Sequence, residues 1–368
     1  MQELNSSVYF YAKNKLMQRR QFGKKMATAL LAGSLINPGS VFAKGTQSKY
    51  KKVVKPAKLK PGDTIGLITP GSYISDEGLE KAVKNVESLG FKVKLSKNIR
   101  ARRGFNAGTD LERLLDLHTM FVDKEVAGIW CARGGYGCTR LLPYIDYNLI
   151  KKHPKALIGY SDITALLNAI YLKTDLVGFH GPVGASELTD YTKENFLAVL
   201  VEGKASHVIQ LSENNKTNED TAYHARQIRY GKVEGRLIGG NLSLLASMSG
   251  TEWEPDYKDT ITFIEDVGEK PYRIDRMLTQ LSQTGNFKEA AALALGIFND
   301  CGAPKEEDSL SLDETINGYL SELTLPSFYG LSFGHIKDQC TLPVGIMAEL
   351  DTRLQTLTLM EEAVETKD

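Results

Sequence analysis

The chain has 368 residues, with 45 basic and 45 acidic side chains and a formal net charge of zero. Residues 1–43 hold six of the basic residues and one of the acidic, so the remainder carries 39 against 44, a net charge of −5. That balance, with no basic cluster in the body, argues against nucleic acid as a partner. The four cysteines, Cys131, Cys138, Cys301 and Cys340, are too few for a disulfide scaffold. They show neither C-x-x-C spacing nor neighbouring histidine pairs, which argues against a zinc site.

The N-terminus reads as an export signal. Arg19-Arg20-Gln21-Phe22-Gly23-Lys24 fits the twin-arginine pattern R-R-x-F-x-K, and the apolar stretch Met26 to Ile36 that follows is too short to span a membrane. Asn37-Pro38-Gly39 breaks that stretch, and Val41-Phe42-Ala43 offers small residues where a signal peptidase reads, so cleavage is expected after Ala43. Met17 is an alternative start, because residues 1–16 add no signal feature. A disordered basic tail would not explain this order of charge, apolar run and small residues. No lipobox cysteine and no later hydrophobic run offers a membrane anchor, and the expected address is the periplasm.

From Thr64 to about Ala205 strand and helix patterns alternate: TIGLIT, an amphipathic helix over 76–89, FKVKLS, a helix near 110–121, then AGIWCA. The outline is a doubly wound parallel α/β sheet. The short apolar strand Val126 to Cys131 runs into Arg133-Gly134-Gly135-Tyr136-Gly137, whose glycines let the backbone bend tightly and bring N–H groups close to a ligand. A plain tight turn and a phosphate cradle are the alternatives, but R-G-G-Y-G fits neither G-x-G-x-x-G nor the lysine-bearing P-loop. Cys138, next in line, is either a rival nucleophile or a small buried apolar residue.

Ala156 to Gly159 reads as a buried strand, followed by Ile163, Leu166, Leu167, Ile170 and Tyr171 at helical spacing. Ser161 and Asp162 occupy the turn between them. Such a turn exposes the hydroxyl and aims helix-end N–H groups at the space before it. It is the setting of a nucleophile elbow, although G-Y-S-D-I lacks the second glycine of G-x-S-x-G. A helix cap is the commoner use of such a serine. In an open parallel sheet the carboxyl ends of neighbouring strands share one crevice. The two turns would then face each other, with Ser161 as nucleophile and N–H groups of Asp162 and of Gly134 or Gly135 as oxyanion donors.

Further on, the polar tract Ser212 to Thr221 reads as a linker, placed at 209–226. Beyond it ITFIED, ALALGIF, PVGIMAELD and TLTLME alternate with helices and form a second unit. Gly239-Gly240-Asn241 either lines the crevice or caps a helix. Arg273 and Arg276 read as solvated or ion-paired. Arg133 and Tyr136, on the glycine loop, are the better substrate contacts.

In order along the chain, PGDTIGLITPGS (61–72), GFNAGTDLERLLDLHTMF (104–121), WCARGGYG (130–137), LIGYSDIT (157–164), FHGPV (179–183), GRLIGGNLSLL (235–245), FIEDVGEKPYRIDR (263–276), LSFGH (331–335) and LPVGIMAELD (342–351) resemble the LD-carboxypeptidases, serine peptidases of the murein tetrapeptide carboxypeptidase type. The resemblance implies a Ser–Glu–His triad on Ser161, Glu265 and His335. Spacing alone would not select His335 over His180 or His118. It also implies a flavodoxin-like first domain (53–208), a swivelling β/α second domain (227–365), and an active site where they meet. The implied reaction releases the terminal D-alanine of a tetrapeptide stem by cutting an L–D bond, with no metal or organic cofactor. The partner is then a muropeptide, and a homodimer is compatible with the family. Two alternatives share the fold: a microcin C immunity-like peptidase that cleaves aminoacyl-nucleotides, and a non-catalytic muropeptide-binding module. A periplasmic address disfavours the first, and an intact triad the second.

Overall fold

The computed structural model describes residues 52–303 and 308–366. The export signal expected over 1–43 lies outside the described residues. The first five strands are β1 (Thr64–Ile68), β2 (Lys92–Leu95), β3 (Val126–Cys131), β4 (Ala156–Gly159) and β5 (Gly178–His180). Then come β6 (His207–Ile209), β7 (Arg226–Arg229), β8 (Lys232–Asn241), β9 (Thr260–Val267), β10 (Ala292–Asn299) and β11 (Ser327–Gly334). The last three are β12 (Leu342–Val344), β13 (Met347–Asp351) and β14 (Thr356–Leu359).

The first sheet has the order 2-1-3-4-5, all parallel, with β12 added antiparallel to β5. This is the flavodoxin-like doubly wound arrangement, whose ligand crevice lies at the carboxyl ends of β1 and β3. β4 is buried throughout and β3 almost so, which explains their near-continuous apolar sequences. The crossover helix Asp76–Ser88 turns Leu79, Ala82 and Val86 inward at spacings of three and four, and Ser75 caps it by accepting from the Gly78 N–H. Helix Asp110–Val122 opens on a capping box between Thr109 and Glu112.

The second sheet has eight strands in the order 6-14-13-8-9-10-11-7, of which β8 to β11 are parallel. The helix Thr164–Thr174 lies between the two sheets. Ala165, Leu166, Leu167, Ala169 and Ile170 are all buried, and the amide of Asn168 donates to the Gly239 carbonyl of β8 at 2.9 Å. An apolar residue on every side is what a helix sandwiched between two layers requires.

Two expectations differ from what is seen. The tract read as a linker over 209–226 is built into the second unit. It contains the helix Glu213–Lys216, and the Ser212 N–H (2.8 Å) and Asn215 amide (3.0 Å) both donate to the buried Ser332 hydroxyl on β11. Its polarity serves hydrogen bonds to a buried strand, so low apolar content does not mark a free connection here. The boundary expected after residue 208 falls inside β6, which already pairs with β14, and β12 returns late in the chain to the edge of the first sheet. Among the described residues no helix is long and apolar enough to cross a membrane.

Candidate active site

The chain leaves β4 through Tyr160 in an extended conformation (φ −142°, ψ −170°) and enters Ser161 at φ 63°. A left-handed conformation at a residue bearing Cβ costs of order 1–3 kcal/mol and persists only where the surroundings over-determine it. One 3-10 turn (Ser161–Ile163) then leads into the helix Thr164–Thr174, which begins without a side-chain cap. Ser161 is therefore not the helix cap. Its Oγ lies 3.0 Å from His335 Nε2. The sharp, strained strand-to-helix turn is that of a nucleophile elbow.

His335 directly follows β11, and Glu265 stands near the end of β9 with no exposed surface. His335 Nδ1 and Glu265 Oε2 are 2.8 Å apart. Gly334 (φ 120°) permits this approach, since a Cβ there would stand 3.2 Å from the Glu265 carboxylate. Because the carboxylate accepts, the imidazole carries its proton on Nδ1 and offers the Nε2 lone pair to the Ser161 hydroxyl, an assignment from partners. Burial pulls the His335 titration down. The charge and hydrogen bond of Glu265, helped by Asp266, outweigh that and leave it above the ordinary value of 6.5. The Tyr160 ring packs 4.8 Å from the imidazole.

The other histidines that spacing left in contention are elsewhere. His118 is buried in the first unit, where Nε2 accepts from the Asp146 N–H at 3.0 Å. His180 is buried between Tyr160, Phe263 and Phe333, and burial holds it down at about 4.

The glycine loop faces the elbow. A Cβ on Gly134 would stand 3.1 Å from Ser161 Cβ and 3.5 Å from the Asp162 nitrogen, so only a glycine lets the loop pack this closely on the elbow. Gly135 has φ 99°, and a Cβ on it would strike the Ser72 hydroxyl at 2.3 Å. The loop is laced to the segment after β1: the Ser72 N–H donates to the Gly134 carbonyl (3.0 Å), and the Tyr136 N–H donates to Ser72 Oγ (3.1 Å). Beneath it the buried Asp162 carboxylate accepts from the Cys138 N–H at 3.0 Å. Burial raises the Asp162 carboxyl above its ordinary value, against the lowering effect of its Cys138 and Gly137 donors. The N–H groups of Gly134, Gly135 and Asp162 are not paired with backbone carbonyls among the described residues.

Arg133 and Tyr136 are exposed on this loop. Arg133 donates to the Tyr73 carbonyl at 2.8 Å, and Tyr136 meets Phe105 edge-on at 5.3 Å. Gly240 and Asn241 lie in the seam instead. Gly240 packs on Thr164, and Asn241 caps the helix Leu242–Met248, donates its N–H to Thr164 Oγ1 (3.0 Å) and its amide to Asp266 (3.0 Å). The helix-cap alternative is thus the one observed. Cys138 is fully buried, and burial with the Asp162 charge pushes its thiol well up. Arg273 is exposed and pairs with Glu269, as its sequence setting suggested. The Asp162 carboxylate and Ser72 escaped sequence reasoning as structural parts of the site. Their only signal was their place in the motifs PGDTIGLITPGS and LIGYSDIT, the second beside Ser161.

A model of the LD-carboxypeptidase N-terminal domain matches residues 65–181, and one of the C-terminal domain matches 234–350. The chain belongs to the LD-carboxypeptidase family. It is 39% identical over 310 residues to the probable murein peptide carboxypeptidase of Bacillus subtilis, covering 83% of this chain and 94% of the relative. The structure of muramoyltetrapeptide carboxypeptidase from Oxalobacter formigenes superimposes with a TM-score of 0.70 at 32% identity, over 80% of this chain and 97% of that one. The microcin C7 self-immunity protein, known from Escherichia coli, superimposes with a TM-score of 0.77 at 27% identity, over 85% of this chain and all of the other.

Proposed function

We propose that this LD-carboxypeptidase hydrolyses the bond before the terminal D-alanine of murein tetrapeptide stems, with Ser161 as nucleophile, His335 as base and Glu265 as its partner. The observation that carries the proposal is the Ser161–His335–Glu265 chain of 3.0 and 2.8 Å contacts, assembled from an elbow on one sheet and two strand ends of the other. As Ser161 Oγ adds to the scissile carbonyl, His335 Nε2 takes its proton. The buried Glu265 carboxylate stabilises the imidazolium and holds its tautomer. N–H groups of Asp162 and of the Gly134–Gly135 turn receive the oxyanion, a contribution of typically about 3 kcal/mol per donor. His335 returns the proton to the D-alanine amine as the C–N bond breaks. A water activated by the same imidazole then releases the stem from Ser161.

The test is direct: incubate the protein with a muramoyl tetrapeptide and measure product mass and free D-alanine. An unchanged tetrapeptide would overturn the reading. The likeness to the microcin C7 self-immunity protein supports a second reading, cleavage of an aminoacyl-nucleotide, so an aminoacyl sulfamoyl adenosine belongs in the same assay. Preferential turnover of that compound would favour the second reading. The proposed site of action is the periplasm, supported by Arg19-Arg20 and the small residues ending at Ala43. Replacing both arginines with lysine should retain precursor in the cytoplasm. Undiminished delivery of mature protein would count against this route.

A further inference from the structure

Around the mouth of the crevice, arginines divide into two groups. Arg100 pairs with Asp76 at 3.0 Å, while Arg113 and Arg140 share Asp110 at 2.6 and 2.7 Å. Arg103 has Glu112 as a neighbouring charge. Arg102 and Arg133, both exposed, have no carboxylate partner among the described residues. What they share is Tyr73. The Arg102 guanidinium lies over the Tyr73 ring, 3.9 Å from its centroid, and Arg133 Nη1 donates to the Tyr73 carbonyl at 2.8 Å. Two guanidinium groups are thus held on one residue, with part of their conformational freedom already removed and their charge unneutralised.

That residue is fastened to the site. Tyr73 follows Ser72, which is bonded to Gly134 and Tyr136, and Gly134 abuts Ser161. The loop carrying Arg102 is tied to the same segment through the Ala107 N–H, which donates to the Gly71 carbonyl at 3.0 Å. Alongside, the exposed Phe105 and Tyr136 rings form an apolar ledge. Guanidinium groups recognise planar carboxylates through paired N–H donors, and stacking on an aromatic face fixes the orientation of the fork. Lysine at either position would lack that fork.

We propose that Arg102 and Arg133, organised by Tyr73, form a subsite for a carboxylate of the peptide stem, separate from the oxyanion donors. The proposal rests on the hydrolytic reading above and deepens it. A tetrapeptide stem offers its terminal carboxylate, the free carboxylate of a γ-linked glutamate, and in diaminopimelate stems a further one at the third residue. The shared chemistry is a carboxylate engaged by two guanidinium groups.

The experiment compares the native stem with three analogues, each carrying one carboxylate as a carboxamide, in the wild type and in the Arg102→Gln/Arg133→Gln variant. In the wild type, amidating the recognised carboxylate should raise KM roughly tenfold to a hundredfold, the usual range for charged hydrogen bonds, with kcat moving by less than about threefold. In the double variant the native stem should show that same raised KM, and the same amidation should cost nothing further. The analogue whose penalty disappears identifies the carboxylate. Arg100→Gln, on the same rim but already paired with Asp76, should leave KM unchanged, which separates a subsite from a general field. Amidation penalties that persist in the double variant, or an equal effect of Arg100→Gln, would overturn the proposal. Calorimetric binding of the native stem to Ser161→Ala, with and without the two arginine changes, separates the readings. Arginine-dependent binding without wild-type turnover would keep the subsite and remove the hydrolytic reading. Turnover indifferent to the arginines would do the reverse, and neither binding nor turnover would remove both.

Discussion

Glu265→Gln isolates what the buried carboxylate contributes, because glutamine keeps the shape and removes the charge. In the transition state His335 carries a full positive charge whose nearest counter-charge is Glu265, with Nδ1 and Oε2 2.8 Å apart and the carboxylate wholly buried. Unit charges with centres about 4 Å apart attract by about 4 kcal/mol at an effective dielectric of about 20. Losing that attraction slows the chemical step by about 10³-fold. Glutamine can also turn its amide N–H towards Nδ1, which favours the tautomer protonated on Nε2 and unable to accept the serine proton. Together the two effects predict a fall in kcat of about 10³- to 10⁴-fold. The pH profile carries the second signature. As a base His335 must be neutral, so kcat/KM rises with pH through the imidazole titration of the free enzyme. In the wild type Glu265 and Asp266 hold that titration above 6.5 against the lowering effect of burial. In the variant the largest raising influence is gone and burial remains, so the limb should shift to lower pH. D-alanine release measured between pH 5 and 9 reads both quantities. A variant within tenfold of wild type, or a limb that does not move, would refute the assignment.

Three more outcomes follow from the same geometry. Ser161→Ala and His335→Ala should each abolish nearly all turnover, and the double variant should be little worse, because members of a triad act as a unit; multiplicative losses would argue for independent roles. Cys138→Ser should keep activity within about tenfold, since a buried thiol raised beside Asp162 is no ready nucleophile; a loss comparable to Ser161→Ala would restore the cysteine reading. Both lacking the hydroxyl, Ser161→Gly and Ser161→Ala should differ in urea unfolding. At φ 63° alanine bears a left-handed penalty of about 1–2 kcal/mol, partly offset by the roughly 0.4–1 kcal/mol that glycine loses through its freer unfolded chain. The glycine variant should therefore be the more stable by up to about 1.5 kcal/mol, and a clearly less stable one would count against a strained elbow.

The parts of the site legible in the sequence are those defined by short-range pattern. The apolar runs Val126–Cys131 and Ala156–Gly159 coincide with β3 and β4, and the turns after them are the two that face each other. Local pattern could not pair Ser161 with a histidine 174 residues away, and burial periodicity treats His118, His180 and His335 alike. Only the resemblance to the LD-carboxypeptidases implied that pairing. What stayed illegible depends on tertiary hydrogen bonding. The tract 212–221 reads as a connection because it lacks apolar residues, yet its amides close on Ser332. The three residues of β12 gave no signal that they would complete a sheet begun far upstream. The sequence points to Asp162 for its backbone N–H, while its side chain accepts from the loop opposite.

The physical reason for dividing such a site between two sheets lies in the helix Thr164–Thr174. A left-handed serine is costly, and a nucleophile misplaced by about 1 Å loses on the order of 10²-fold in rate. The elbow therefore needs restraint from outside its own sheet. Thr164 Oγ1 accepts from the Asn241 N–H, Asn168 donates to the Gly239 carbonyl, and Gly240 packs on Thr164 without a side chain between them. Asn241 in turn donates to Asp266, the residue after Glu265. The start of the nucleophile's helix is thus bonded to the end of β8, and β8 to the strand that carries the carboxylate. The elbow is consequently tied to the strand that bears Glu265 by buried hydrogen bonds crossing the seam. That arrangement holds Ser161 in register with Glu265 and the histidine bonded to both.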